Sequence, residues 1–439
     1  MSSDQVLCPA LFLAAPASGQ GKTTITAVLA RYFCSQGKRV TVFKTGPDYL
    51  DPQILAQASG RPVEQLDIWM AGEHYCRQRL YEAALCSDLI LVEGVMGMFD
   101  GTPSSADLAA LFGIPIAIVM DVGGMAQTAA ALVHGMATFR EDIKIAGLIA
   151  NRCGSDYHAS LIADALPSDI PLLAALSREE RVRLPERHLG LVQAAEMRDE
   201  LEEKLVESLT WLHQPRNAPL LTLPEPVLFR ADLKGQIKVG QHLSGKTIAI
   251  ARDEAFSFAY AANILLLQQL GATIEYFSPL RDSQLPQSVD ALWLPGGYPE
   301  LHADELAKNQ SMKKEILAFY LSEKPILAEC GGMMYCLDHL HTLDGISYEM
   351  LGLISGEGIM RDKGGCQGMQ TAMLPEGVVR AHSHHRSMTQ GTPDPIAYGK
   401  RQRHSAPGEE IFRCKGLTAT YLHLFFPSNP EAIAAIFSK

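Results

Sequence analysis

The sequence predicts an α/β protein of two domains, and three observations predict it. Short apolar runs alternate with helix-forming stretches in both halves of the chain. Prolines crowd between the halves, at Pro215, Pro219, Pro224 and Pro226. A glycine-containing turn directly follows the first apolar run, where a strand–loop–helix unit binds anions. The chain has 439 residues, too long for one ordinary domain and comfortable for two. With 47% hydrophobic and 20% charged residues it can bury a core, which excludes a globally disordered chain.

In the first half, Val6 to Ala14 reads as a strand and Thr23 to Gln36 as a helix. Val40 to Phe43, Leu89 to Val92, Ile114 to Met120 and Ile145 to Ala150 read as further strands. They are apolar almost throughout, as strands buried on both faces of a parallel sheet are. Helices between them imply right-handed crossovers and a doubly wound sheet. A charged helix, Glu196 to Glu207, leads into the prolines. The expected division is a domain over residues 1–215, a linker over 216–245 and a second domain over 246–439. Strand–helix alternation resumes there with Thr247 to Ala251, Ile274 to Phe277, Ala291 to Leu294 and Pro325 to Glu329.

Charge narrows the function. Lys and Arg number 38 against 49 Asp and Glu, a net charge of −11. Such a chain is a poor binder of nucleic acid or anionic membranes, so any anion must be held by a local site. No apolar run reaches the ~18 residues of a membrane span. Met1 to Gln5 carries no basic segment, so no secretory signal is expected. Nine scattered cysteines without a CxxC pair point to a reducing compartment, and the cytoplasm is the expected location.

The turn after the first strand reads Ala14-Ala15-Pro16-Ala17-Ser18-Gly19-Gln20-Gly21-Lys22-Thr23-Thr24. Gly19 and Gly21 let backbone N–H groups face a phosphate, Lys22 supplies a charge, and Thr23 offers a hydroxyl to Mg²⁺. Pro16 stands where the leading glycine of GxxxxGK[ST] belongs, so the strict match is Gly21-Lys22-Thr23. A plain Gly/Ser turn is the alternative; the strand–loop–helix setting favours a nucleotide, held by Gly19, Gly21, Lys22, Thr23 and Thr24. Acidic residues follow the next strands: Asp48 and Asp51 in Lys44 to Pro52, Glu93 at a strand end, then Asp100. The ligand crevice of an open α/β sheet lies at those strand ends, and carboxylates there can hold Mg²⁺ or an acid substrate. Read alone, Asp48 and Asp100 are equally turn-formers beside Pro and Gly.

In the second half, Pro325-Ile326-Leu327-Ala328-Glu329-Cys330-Gly331-Gly332-Met333-Met334 is strand, cysteine, glycines, helix. A sharp strand-to-helix turn exposes a nucleophile, and the helix N-terminus is expected to favour its thiolate. His423, inside the late run Tyr421 to Pro427, is the leading base, although a histidine in an apolar run is more often a core residue. Gly296 and Gly297 follow another strand, and their N–H groups can serve an oxyanion together with Gly331.

These stretches resemble class I glutamine amidotransferase domains. The chain as a whole resembles the cobyrinic/hydrogenobyrinic acid a,c-diamide synthase family. The resemblance rests on an ordered set of motifs: Gly46-Pro47-Asp48-Tyr49-Leu50-Asp51, Glu93-Gly94-Val95-Met96-Gly97, residues 184–192, Ser278-Pro279-Leu280-Arg281-Asp282, Gly296 to Ala303, and Glu329-Cys330-Gly331-Gly332. It implies a dethiobiotin-synthetase-like P-loop domain followed by a class I glutaminase domain. It further implies ATP and L-glutamine as cosubstrates, Mg²⁺, and a tetrapyrrole acid amidated through an acyl phosphate. By the same analogy Asn151 reads the adenine. Phe425 stands where many class I glutaminases carry Glu, so a Cys–His dyad is expected. The chain departs from the family's usual Gly-Tyr-Arg at Gly368-Met369-Gln370. It departs again in Arg380-Ala381-His382-Ser383-His384-His385-Arg386-Ser387, which the family usually reads Arg-Gly-His-Glu-Phe-His-Tyr-Ser.

Two other readings stay open on sequence alone. One is a MinD-like ATPase switch joined to a degenerate glutaminase. The other is amidation of a different tetrapyrrole acid, such as a nickel-sirohydrochlorin. An assembly of identical subunits also stays open. The histidines 382, 384 and 385 invite a metal-site reading, but ligand count favours a loop facing the acid substrate or the domain interface.

Overall fold

The computed structural model describes residues 4–182, 186–187, 190–191, 198–362, 364–365 and 367–438. The chain divides into two compact units, Met1–Gln236 and Ile237–Lys439. Among the described residues no helix is long and apolar enough to cross a membrane.

The first unit is built on seven parallel strands among the described residues. These are β1 (Gln5–Ala14), β2 (Val40–Thr45), β3 (Glu64–Leu66), β4 (Leu89–Glu93), β5 (Ile116–Asp121), β6 (Ile145–Cys153) and β7 (Leu172–Ser177). They lie in the order β3-β2-β4-β1-β5-β6-β7. Helix α1 (Lys22–Ser35) packs Ile25, Val28, Leu29 and Phe33 against sheet residues such as Leu11, Leu13, Val40 and Val42. Every residue of β4 is buried, the terminal Glu93 included. The chain order reverses beside β1, so a crevice opens at the carboxyl ends of β1, β4 and β5.

The stretch expected as a linker is partly structured. Its segment β8 (Pro226–Arg230) pairs antiparallel with the start of β1, from Gln5–Arg230 to Pro9–Pro226. Pro226 opens that strand, a position where its missing N–H is tolerated. Of the motif at residues 184–192, only Glu186–Arg187 and Gly190–Leu191 are described, as two short paired strands; the rest lies outside the described residues. The same holds for the start of the charged helix, which is described over Arg198–Leu212.

The second unit joins a parallel half to an antiparallel half. The parallel strands are β9 (Thr247–Ala251), β10 (Thr273–Phe277), β11 (Ala291–Leu294) and β12 (Ile326–Glu329). The later strands are β13 (Gln367–Leu374), β14 (Gly377–His384), β15 (Ala397–Arg401), β16 (Pro407–Cys414), β17 (Leu417–Thr420) and β18 (His423–Leu424). The sheet order is β10-β9-β11-β12-β17-β16-β15-β13-β14-β18, and β17 still runs parallel to β12. Alternate side chains feed two apolar clusters. Leu292 and Leu294 join Phe256, Ile316 and Met333 in one, while Trp293 joins Leu327, Leu422 and Phe437 in the other.

Candidate active sites

The first site is a cavity of about 550 Å³ at the carboxyl ends of the first unit's strands. Gly19, Gly21, Lys22, Thr23, Thr24, Asp48, Asp51, Glu93 and Asn151 all line it. Gly21 has φ 93°, and a Cβ there would sit 2.4 Å from Asn151 Nδ2, so the turn needs glycine on both counts. Lys22 Nζ donates to the Met96 carbonyl at 2.8 Å, and Thr23 Oγ1 donates to Glu93 Oε1 at 2.8 Å. Burial lowers the Lys22 pKa, and the neighbouring Lys44 lowers it further.

Lys44 is the residue that sequence reasoning passed over. Its Cα is the register partner of Glu93 across β2 and β4. Its ammonium lies 2.9 Å from Glu93 Oε1 and 2.9 Å from Asp51 Oδ2, almost wholly buried. Burial opposes its charge, but Glu93 and Asp51 outweigh burial and hold it protonated. Burial pushes Glu93 up to about 7 against the pull of Lys44. Burial and then Asp51 push Asp48 up to about 6. Asp51 is also buried, yet Lys44 and hydrogen bonds bring it below the usual range. Asp48 Oδ1 additionally accepts from the N–H groups of Leu50 (2.9 Å) and Asp51 (3.2 Å). These are the first two N–H groups of α2 (Leu50–Ser59), whose N-cap is Tyr49. No three of the carboxylates are arranged to hold a metal by themselves among the described residues, so the fit for Mg²⁺ rests on the Thr23 hydroxyl and on Glu93 Oε2, which is sealed and has no hydrogen-bond partner among the described residues.

Of two further expected residues, one lies away from the cavity and the other lines it with its amide engaged. Asp100 is exposed, does not line the cavity, and accepts the Gly97 N–H at 3.1 Å, as a turn-former does. Asn151 lines the cavity, but its Nδ2 donates to the Gln20 carbonyl at 2.9 Å and its Oδ1 accepts from Arg152 N–H at 3.0 Å. Its amide steadies the phosphate loop.

The second site lies where β12 turns into the helix Gly331–Cys336. Cys330 takes φ 47° and ψ −105°, a strained conformation for a residue with a Cβ. The site's parts converge on Gly296. A Cβ there would lie 2.2 Å from His423 Cε1 and 3.3 Å from Cys330 Cβ. A Cβ on Gly331 would lie 3.0 Å from the backbone N of Gly297. The expected nucleophile, the expected base and the glycine backbone therefore share one small space.

Strand packing explains how they meet. Cys330 N–H donates to the Thr420 carbonyl at 2.8 Å, which ties the elbow to the end of β17. Glu329 Oε1 accepts the Leu424 N–H at 2.8 Å and its Oε2 accepts Trp293 Nε1–H at 2.8 Å. Asn263 grips the same strand, donating to the Leu424 carbonyl and accepting from Phe426 N–H, both at 2.8 Å. Burial pushes Glu329 up to about 8.

The thiolate expected from the helix N-terminus is corrected. Burial raises the Cys330 thiol well above its ordinary value, Glu300 raises it further, and one hydrogen bond from Gly331 does not offset them. A six-residue helix is a weak counterweight to full desolvation. Burial likewise lowers His423, helped by His382, His385 and His384. Both shifts disfavour the charged forms, thiolate and imidazolium.

The expectation of a loop is corrected for part of the histidine-rich segment: His382 and His384 end a strand, and His385 begins the turn that follows it. His382 is the register partner of His423 across β14 and β18, and burial followed by His384 lowers it to about 3. His385 Nε2 lies 3.1 Å from Glu409 Oε1, which also accepts from Ser383 Oγ at 2.9 Å. Among the described residues no group of three His, Cys, Asp or Glu is arranged to hold a metal.

Fold and sites together define a nucleotide-binding synthetase unit joined to a glutamine amidotransferase unit. Residues 11–192 match the CobQ/CobB/MinD/ParA nucleotide binding domain, and residues 247–431 match the CobB/CobQ-like glutamine amidotransferase domain. The chain is 49% identical over 429 residues to the hydrogenobyrinate a,c-diamide synthase of Stutzerimonas stutzeri, covering 98% of each chain. It is 48% identical over 432 residues to the protein of that name from Pseudomonas aeruginosa, again covering 98% of each. It is 43% identical over 445 residues to the cobyrinate a,c-diamide synthase of Herminiimonas arsenicoxydans, covering 100% of this chain and 98% of that one. The chain belongs to the hydrogenobyrinate/cobyrinate a,c-diamide synthase family, and is a glutamine-dependent ligase.

Proposed function

We propose that this chain amidates the a and c side-chain carboxylates of cobyrinate or hydrogenobyrinate, using ATP and L-glutamine, in cobalamin biosynthesis. The observation that carries the reading is the near end-to-end identity with relatives of those names. Two chemically complementary sites support it. A carboxylate is a poor acyl donor. Its oxygen attacks the γ-phosphorus of ATP, ADP leaves, and the acyl phosphate has a good leaving group. Ammonia then attacks the acyl carbon, the C–O bond breaks, and an amide and phosphate result.

Gly19, Gly21, Lys22 and the start of α1 would bind the phosphates. Lys44 stands beside them as a fixed positive charge for the transferring phosphoryl group. Thr23 and Glu93 would hold Mg²⁺, which neutralises phosphate charge when bound, and Asp48 and Asp51 would position the metal or the acid substrate. In the second unit Cys330 Sγ bonds to the amide carbon of glutamine while its proton passes to His423. His423 returns a proton to the departing nitrogen, the C–N bond breaks, and ammonia leaves a γ-glutamyl thioester. Water then hydrolyses the thioester to glutamate. Gly296, Gly297 and Gly331 offer N–H groups to the oxyanion. Eight described cysteines are all free thiols, which supports a cytoplasmic location.

The test is a panel of cobyrinate, hydrogenobyrinate and nickel-sirohydrochlorin with mass spectrometry of products. The reading expects successive mono- and diamides of one or both of the first two. Amidation of nickel-sirohydrochlorin alone would overturn it.

A further inference from the structure

Three carboxylates lie near enough to the buried Cys330 thiol to oppose its ionisation: Glu300, Glu409 and Glu329. Two are occupied. Glu329 accepts from Trp293 and Leu424, and Glu409 from Ser383 with His385 beside it. Glu300 differs. It lies on the turn Pro299–His302, directly after Gly296 and Gly297. The same turn packs against the elbow, with Pro299 Cδ 2.8 Å from where a Cβ on Gly331 would be. Glu300 Oε2 is sealed from solvent and has no hydrogen-bond partner among the described residues. Burial pushes this carboxyl up to about 7 against a hydrogen bond from its own backbone N–H, so it is poised to ionise when a cation arrives at the bare Oε2.

Such a group is costly to leave bare, because a buried charge needs a partner. L-Glutamine brings one. When its carboxamide sits at Cys330, its α-ammonium must also enter a site whose charged neighbours are acidic. We propose that Glu300 receives the α-ammonium of L-glutamine, making it the residue by which this site recognises an α-amino acid as amide donor. This rests on the glutaminase reading above. The pairing also bears on the nucleophile. Glu300 opposes a Cys330 thiolate more strongly than Glu409 or Glu329 does, and an ammonium bound to it cancels that opposition, so the correct donor helps to activate the thiol that attacks it.

The test uses the full chain with saturating ATP, Mg²⁺ and acid substrate. Glutamate or glutarate release is measured from L-glutamine and from glutaramate, the same amide lacking the α-ammonium. Wild-type protein is expected to prefer L-glutamine by about a hundredfold or more in kcat/KM, since a site built for a polar group rejects the analogue without it. Glu300→Gln should lose most of that preference. Its kcat/KM for L-glutamine should fall by a similar factor, chiefly through KM, while glutaramate hydrolysis and ammonium-driven amidation stay near wild-type rates. Equal losses for both amides, or an unchanged preference, would overturn the proposal. If Glu300→Gln does not fold, as loss of ammonium-driven amidation would show, the ratio is read in Glu300→Asp. A preference reduced by about tenfold supports the proposal there, and a full preference overturns it. Should wild-type protein hydrolyse neither amide yet amidate with ammonium salts, the glutaminase reading itself falls, and this proposal with it.

Discussion

The two sites handle charge in opposite ways. In the first unit Lys44 is clamped between Glu93 and Asp51, each 2.9 Å away, and Thr23 joins the same carboxylate. In the second unit Cys330 and His423 are buried with their charged forms disfavoured. The difference fits the chemistry proposed for each. Phosphoryl transfer moves several negative charges, so fixed ions must be in place beforehand. Thioester formation begins from a neutral amide, so a neutral thiol–imidazole pair needs only to exchange a proton while the oxyanion is met by backbone N–H groups. A preformed ion network and a desolvated neutral pair are thus two solutions to one problem, that of keeping water from competing.

This contrast can be broken most severely at Lys22. Lys22→Ala should reduce amidation by about a thousandfold with either glutamine or ammonium as nitrogen source, because both routes need the activated acid. Product formation measured with the two nitrogen sources checks this. Near-normal synthesis from ammonium would show that the loop is not the working phosphate site.

A smaller effect is expected at Glu329, which anchors the base strand to the nucleophile strand. Glu329→Gln leaves one acceptor for two buried donors, Leu424 N–H and Trp293 Nε1–H. A loss of about 1–3 kcal/mol in stability is expected. Glutamine-driven turnover should fall by about tenfold, since His423 shifts relative to Cys330, with ammonium-driven turnover retained. Urea unfolding and paired assays measure both, and equal losses from both nitrogen sources would contradict the positioning role.

The smallest effect is a pH slope. Burial holds His382 at about 3 and His423 below its ordinary value, so both fold neutral. The unfolded chain takes up protons on them below about pH 6.5. Their contribution is therefore fully present above pH 6.5 and is lost as pH falls toward the folded values, at about 1.4 kcal/mol per pH unit for each histidine. His382→Asn should remove one proton's worth of that slope between pH 6 and pH 5. An unchanged slope in denaturant titrations would show that His382 is not a neutral buried group.

What could be read from the sequence tracks how local each feature is. Gly19, Gly21, Lys22 and Thr23 sit in one turn, so their spacing alone points to a phosphate. Cys330 is legible for the same reason, as the junction of an apolar run with two glycines. Lys44 is not, because its importance arises only when β2 and β4 align it with Glu93, 49 residues on. Asp100 illustrates the reverse: proximity in sequence to Glu93 suggested a shared site, while the chain turns it outward to cap Gly97. The antiparallel half of the second sheet is hidden because β14 mixes buried and exposed positions with Arg380, His382 and His384 among them. No apolar run marks such a strand, and only its register shows that His382 faces His423. The elements with continuous apolar runs, by contrast, stand within a few residues of where the sequence puts them, as with Thr247–Ala251 and Ala291–Leu294.

The central claim is that nitrogen release and acid activation are separate chemistries in separate units. Cys330→Ala tests it most directly. One preparation of this variant is assayed for amide product first with glutamine and then with ammonium salts, ATP and acid being saturating in both. Glutamine-driven product should vanish while ammonium-driven product forms at close to the wild-type rate. Loss of both in a folded variant, or survival of glutamine-driven synthesis, would contradict the account.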